Sequence, residues 1–251
     1  MYQFFVEPCQ IHVQDKRVII NGSDVNHIKN VLRMKVGEEL NVSNGTDGRE
    51  YRCAIAEFHE DEIVCELRFI KEDQVELPSK VYLFQGLPKA DKMELIIQKA
   101  VELGVYQVIP VAVKRCVVKL DEKKEAAKLK RWQGIAEAAA KQSKRGIIPQ
   151  VAGCMSFRDA VKMAAAMDVR LIPYELAEDM QKTRELIDGL KPGQEIAIFI
   201  GPEGGFDDGE IREALDNGIQ PVTLGKRILR TETAGMTVLA WIGYVLEGRE
   251  E

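Results

Sequence analysis

Residues 195–206 read Glu195-Ile196-Ala197-Ile198-Phe199-Ile200-Gly201-Pro202-Glu203-Gly204-Gly205-Phe206, and Asp207-Asp208, a pair suited to starting a helix, follows at once. The apolar run has no polar alternation, the pattern of a strand covered on both faces. A strand of this kind feeding a glycine-rich turn and then a helix is a unit of an α/β fold. Glycine lets backbone approach a ligand or take a positive φ, and proline stiffens the same turn. Neither a Walker lysine nor a GxGxxG spacing is present, which disfavours a phosphate cradle or a classical dinucleotide site. At this point an ordinary strand-to-helix turn stays open.

The same alternation extends outward from this stretch. Val81–Gln85, Gln107–Val113, Val169–Pro173 and Gln220–Leu224 read as further strands. Pro110 favours an edge position or an irregular strand for the second of them. Helices are expected over Lys92–Leu103 with Gly104 as its stop, Glu122–Ser143, Ser156–Met167, Asp179–Leu190, Asp208–Asn217 and Thr231–Glu247. The sum is a mainly parallel sheet with helices on both faces. The first seventy residues differ. Short strands at Arg17–Asn21, Glu39–Ser43, Arg49–Phe58 and Glu62–Ile70 surround one helix, capped by Ser23 or Asp24 and running to Met34. Asn44-Gly45 and Asp47-Gly48 mark tight turns. A small β-barrel is expected, joined through the polar stretch Lys71–Ser79, with domains at 1–72 and 73–251.

Composition narrows the class. The chain has 251 residues, 45% hydrophobic and 30% charged, enough for a sizeable core and unlike a disordered chain. The longest uncharged stretch, Ala234 to Leu246, falls short of the roughly 18 residues a membrane span needs. No secretory signal is expected from Met1-Tyr-Gln-Phe-Phe-Val-Glu7. Five cysteines without a CxxC pair suggest reduced thiols in a cytoplasmic protein. His12, His27 and His59 lack metal-ligand spacing, so no metal is expected. A net charge of −5 argues against a nucleic-acid partner, but the acid excess is local. Residues 1–77 carry nine Lys and Arg against 15 Asp and Glu, whereas the remainder carries 26 against 25. Local fields govern docking more than totals do.

In open α/β sheets the ligand lies at the carboxyl ends of the strands. Three loops fall there: Pro173-Tyr174-Glu175, Gly201 to Phe206, and Leu224 to Thr233. In the third, Thr231 and Glu232 suit a helix cap and a first-turn carboxylate. Arg227 and Arg230 do not, since positive charge at a helix start opposes the dipole and points to an anionic partner.

Seven stretches together resemble one family. They are His27-Ile-Lys-Asn-Val-Leu-Arg-Met34, Leu87-Pro-Lys-Ala-Asp-Lys-Met-Glu94, Ile97-Gln-Lys-Ala-Val-Glu-Leu-Gly104, Arg115-Cys-Val-Val-Lys119, Ala139-Ala-Lys-Gln-Ser-Lys-Arg145, Gly201-Pro-Glu-Gly-Gly205 and Leu224-Gly-Lys-Arg-Ile-Leu-Arg-Thr-Glu-Thr-Ala234. In this order, across essentially the whole chain, they resemble the RsmE family, ribosomal RNA uridine-N3 methyltransferases of the SPOUT superfamily. Two departures stand out: Lys141-Gln-Ser-Lys-Arg145 where the family commonly has Glu-Gln-Ser-Gly-Arg, and Phe206 where leucine is common.

The resemblance implies an N-terminal PUA-like β-barrel that binds RNA and a C-terminal α/β domain with a trefoil knot formed by the three loops. It implies S-adenosylmethionine as cofactor, a homodimer, and a uridine of 16S ribosomal RNA in the small ribosomal subunit as substrate. Expected cofactor contacts are Tyr174, Glu175, Ile200, Gly201, Pro202, Glu203, Gly204, Gly205, Leu224, Gly225, Ile228, Leu229, Arg230 and Thr231. Arg230 is the expected stabiliser of the uracil anion, and Glu232 or Glu203 the expected base. Expected RNA contacts are Lys29 and Arg33, four apart on one helix face, with Arg115, Gln142 and Arg145. Two alternatives stay open: a knotted RNA methyltransferase acting on a ribose 2′-oxygen, and a ribosome assembly factor without catalysis.

Overall fold

The computed structural model describes residues 1–72, 75–118, 120–174 and 179–247. Two units emerge, one of residues 1–76 with 140–148 and one of residues 77–139 with 149–251. The expected boundary at 72/73 falls four residues early, and it lacks the return of 140–148 to the first unit. That return joins residues too distant in sequence for local pattern to connect.

The first unit is a six-stranded sheet. Its strands are β1 (Gln3–Phe5), β2 (Ile11–His12), β3 (Arg17–Asn21), β4 (Glu39–Ser43), β5 (Arg49–Phe58) and β6 (Glu62–Glu72), in the order β1-β4-β5-β6-β3-β2. Among the described strand ladders of this unit, β1–β4 is parallel and the others are antiparallel. Among the described residues no ladder joins β1 to β2, so the PUA-like barrel is a half-barrel. Val18, Ile20, Leu40, Val42, Cys53, Ile55, Ile63 and Cys65 line its core, each from an alternating position on its strand. β6 runs into the expected linker, because cross-strand pairing with Arg49 and Glu50 continues to Glu72.

The expected helix to Met34 is shorter. Helix α1 covers Ser23–Asn26, a π turn covers His27–Val31, and Arg33 has a φ of 55°. Val31, within that expected helix, is 62% exposed. Lys29 and Arg33 therefore do not share a regular helix face. The Lys29 ammonium instead donates to the carbonyls of His59 and Glu60, in the turn between β5 and β6.

The second unit is a parallel seven-stranded sheet. Its strands are β7 (Lys80–Gly86), β8 (Gln107–Ala112), β9 (Gln150–Val151), β10 (Met155–Ser156), β11 (Val169–Pro173), β12 (Glu195–Ile200) and β13 (Gln220–Val222). The order is β10-β8-β7-β12-β11-β13, with β9 also on β8. Between strands run α2 (Lys92–Glu102), α3 (Glu122–Ser143), α4 (Phe157–Ala164), α5 (Met180–Asp188) and α6 (Asp208–Asp216), and α7 (Thr231–Glu247) closes the unit. As expected for doubly covered strands, Ile196 to Ile200 are all buried, and so are Val81 to Gln85 beside them. Phe84 and Phe199, in register, stack with ring centroids 4.5 Å apart. Each such side chain contributes roughly 2–3 kcal/mol by leaving water. The Asp207 carboxylate caps α6 through Gly209 N, and Glu210 reaches back to Asp207 N.

Pro110 does not put β8 at an edge. Val108 O accepts from Ala152 N, so by strand alternation the ring nitrogen of Pro110 faces the same flank. There β9 pairs only with residues 107–108 and β10 only with residues 111–112, and the proline sits in the gap. Among the described residues, no helix is long and apolar enough to cross a membrane.

Candidate cofactor and substrate cavity

β12 lies between β7 and β11 although it follows β11 in the chain, so the loops leaving β11, β12 and β13 converge at one end of the sheet. Together they wall a cavity of about 1040 Å³. Tyr174, Ile200, Gly201, Pro202, Glu203, Gly204, Gly205, Leu224, Gly225, Ile228, Leu229, Arg230 and Thr231, the residues expected to contact the cofactor, all line it. Glu175 lies outside the described residues, as does Lys119 of the Arg115–Lys119 stretch.

The glycine loop is held from several sides. A Cβ on Gly201 would sit 3.0 Å from Gly205 Cα, and one on Gly86 would sit 2.6 Å from Pro202 Cδ. Gly205 takes a φ of 65°, which favours glycine. Thr231 Oγ1 donates to Gly201 O at 2.6 Å and accepts from Gln85 Nε2 at 2.9 Å. Gln85 is fully buried. This chain fastens the start of α7 to the ends of β7 and β12. Arg115, expected on RNA, donates from Nη1 to Gly204 O at 3.0 Å and also lines the cavity. Beside it, the Lys114 ammonium lies 2.8 Å from Asp207 Oδ1, and this hydrogen bond holds the Asp207 carboxyl below its ordinary value.

Charge is distributed unevenly around the wall. Among the described residues, Lys92, Arg115, Lys226, Arg227 and Arg230 line it, against the one carboxylate of Glu203. Glu232, an expected base, is not on the lining and lies with Glu203 against the Lys92 ammonium. Burial raises the Glu203 carboxyl, but the hydrogen bonds from Lys92 and from backbone N–H groups outweigh it and leave the group below its ordinary value. Lys92, Met180 and Thr223 are wall residues that the sequence reading missed. They come from helix starts and a strand end, where no motif marks a side chain that turns toward a distant loop. The Leu87–Glu94 stretch was the only signal for Lys92.

In the first unit, Gln142 and Arg33 are exposed. Arg145 is a correction: it is 2% exposed and its guanidinium pairs with Glu76. A buried charge needs a partner, and this one is committed inside the unit. Lys141 lies 3.4 Å from Asp24.

The comparisons with known proteins agree with this geometry. Residues 75–243 match the model of an RNA methyltransferase domain, and residues 20–68 match that of an RNA methyltransferase PUA domain. The class is thus an RNA methyltransferase with a PUA domain. The chain is 36% identical over 251 residues, 98% of each chain, to the ribosomal RNA small subunit methyltransferase E of Bacillus subtilis (strain 168). It belongs to the ribosomal RNA small subunit methyltransferase E family. Among solved structures, the Neisseria gonorrhoeae member bound to S-adenosyl methionine is 30% identical, with a TM-score of 0.83 and 98% coverage of both chains. A Legionella pneumophila putative methyltransferase in complex with that cofactor is also 30% identical, with a TM-score of 0.79 over 97% of this chain and 96% of its own.

Proposed function

We propose that this protein transfers a methyl group from S-adenosylmethionine to N3 of one uridine in 16S ribosomal RNA of the small ribosomal subunit. The observation that carries the reading is the cavity, in which glycine-rich backbone and apolar side chains face a cluster of cations at the start of α7. The wall suits the cofactor. Gly86 and Gly201 let the loop that forms the wall pack closely, since a Cβ on either would meet Pro202 or Gly205. Leu224, Ile228, Leu229 and Met180 offer apolar surface for an adenine ring, and the backbone of Gly201–Gly205 and Gly225 supplies hydrogen-bonding groups. When bound, the cofactor supplies an electrophilic methyl group on a sulfonium.

The part left to the chain is the proton on uridine N3. That nitrogen is a weak acid, and each unit of pKa it is lowered is worth about 1.4 kcal/mol. Arg230, exposed on the cavity, is the group we assign to the uracil oxygen, where the negative charge appears as the proton leaves. We assign phosphate contacts to Lys29, Arg33 and Gln142 in the first unit and to Arg115 in the second. Their binding should weaken steeply with salt. A cytoplasmic homodimer with its loops knotted completes the reading. Tyr244, on α7, is 84% exposed and supports a second copy covering that helix.

The test is methyl transfer from labelled adenosylmethionine to small subunits that lack the modification, followed by nucleoside analysis. Label in N3-methyluridine at one site is expected. Label on a ribose would move the target, and no transfer with no cofactor binding would leave the assembly-factor reading.

A further inference from the structure

One charged cluster beside the cavity, with Lys92 and Glu203 on the wall and Glu232 off it, has no assigned part in the reaction. Lys92, the first residue of α2, reaches Glu203 Oε1 at 2.9 Å and Glu232 Oε2 at 3.5 Å. These residues come from a helix start, the glycine loop after β12, and the first turn of α7. Glu203 also accepts from Lys89 N at 3.2 and 3.3 Å. The side chains are largely sheltered, at 29% exposure for Lys92, 27% for Glu203 and 15% for Glu232. Two sheltered carboxylates sharing one ammonium repel each other as soon as that ammonium is removed.

We propose that Lys92 is a positioning residue, a counter-ion clamp that ties the glycine loop to the first turn of α7, with Glu203 and Glu232 as its ligands rather than as proton acceptors. Two of the three walls of the cavity are those segments, so the clamp sets how far the loop stands from Arg230. The chemistry agrees. Glu203 lies within hydrogen-bond distance of the ammonium and Glu232 pairs with it by charge at 3.5 Å, and a carboxylate so paired holds its negative charge firmly and is a poor acceptor for a proton from a weak acid such as uracil N3. Within the cluster, Glu203 is held below its ordinary value, and the Glu203 hydrogen bond raises Lys92.

The inference rests on the reading that this cavity takes adenosylmethionine, and the experiment keeps the two apart. Cofactor affinity by calorimetry, turnover, and melting temperature without cofactor are measured for wild type, Lys92→Met, Lys92→Arg and the double variant Lys92→Met with Glu203→Gln. Lys92→Met is expected to weaken cofactor binding roughly tenfold, the effect of losing a charge-assisted pair. The melting temperature should fall by about 3 °C. Lys92→Arg keeps the cation and should retain most of the affinity. The double variant removes one of the two opposed charges and should recover affinity and melting temperature relative to Lys92→Met. Recovery of that kind is specific to a counter-ion, since general damage at position 92 would be deepened by a second change. A double variant no better than Lys92→Met overturns the proposal, as does Lys92→Met with wild-type affinity and melting. If Lys92→Met does not fold, Lys92→Gln with the same partner variant gives the same comparison. Should wild type itself fail to bind adenosylmethionine, the functional reading falls, while the melting comparison still decides the clamp.

Discussion

Arg145 closes an ion pair on Glu76, 69 residues earlier in the chain, with Nε at 3.1 Å from Oε2, inside the first unit. The Glu76 carboxylate also accepts from Ile147 N, so one side chain anchors the returning segment 140–148 twice. The segment is therefore part of the first unit's fold rather than a loop of the second.

Removing the Arg145 cation should consequently harm stability rather than RNA contact. Arg145→Met leaves Glu76 facing a partly buried site without its counter-ion, and unfolding in urea should show a loss of about 3 kcal/mol. The slope of RNA binding against salt should stay that of wild type. A stable variant with a flattened salt slope would return Arg145 to the RNA surface.

Gly86→Ala tests the support of the glycine loop. Its new methyl would lie 2.6 Å from Pro202 Cδ and 2.9 Å from Pro202 N, distances that only movement of the loop relieves. Destabilisation of about 2 kcal/mol is expected, in the range of overpacked sites, together with weaker cofactor binding in calorimetry. Unchanged affinity would mean that the loop moves without consequence for the cavity.

Arg230→Ala separates binding from chemistry. If the guanidinium acts on the uracil anion, turnover should fall by roughly 100-fold, as for loss of an oxyanion donor, while cofactor affinity changes little. Measured separately, normal turnover in this variant would remove Arg230 from the reaction.

Thiol accessibility gives an independent check of the fold. Burial pushes the Cys53 and Cys65 thiols up to about 12, so at pH 8 both stay protonated and out of reach. Cys9 is exposed and should react with a thiol reagent first. Cys53 and Cys65 should react only as urea unfolds the chain, in step with the unfolding transition. Burst modification of either in the native protein would contradict the half-barrel core.

Local pattern carried far in this chain. The apolar run before Gly201, the turn at Asn44-Gly45 and the stop at Gly104 each act through near neighbours, which is why β3, β4, β5 and β12 could be bounded from sequence. The exceptions had non-local causes. β1 and β2 are too short to show a period, and Pro110 was read as favouring an edge position or an irregular strand because the gap between β9 and β10 that accommodates it lies on the neighbouring flank.

The candidate site divides in the same way. The glycine loop and the Arg227–Thr231 stretch were legible because their residues act largely through their own backbone and helix start. Lys92 was not, since its meaning lies in carboxylates 111 and 140 positions away. Arg145 read as a surface cation for the converse reason: nothing near it in sequence announces Glu76. Sequence alone thus determined the two-part α/β architecture and the loops that wall the cavity, through short-range periodicity and turn chemistry, and pointed to the family through the resemblance of its motifs. Only the tertiary structure decided which charges face the cavity and which neutralise one another, because ion pairing depends on where distant segments meet.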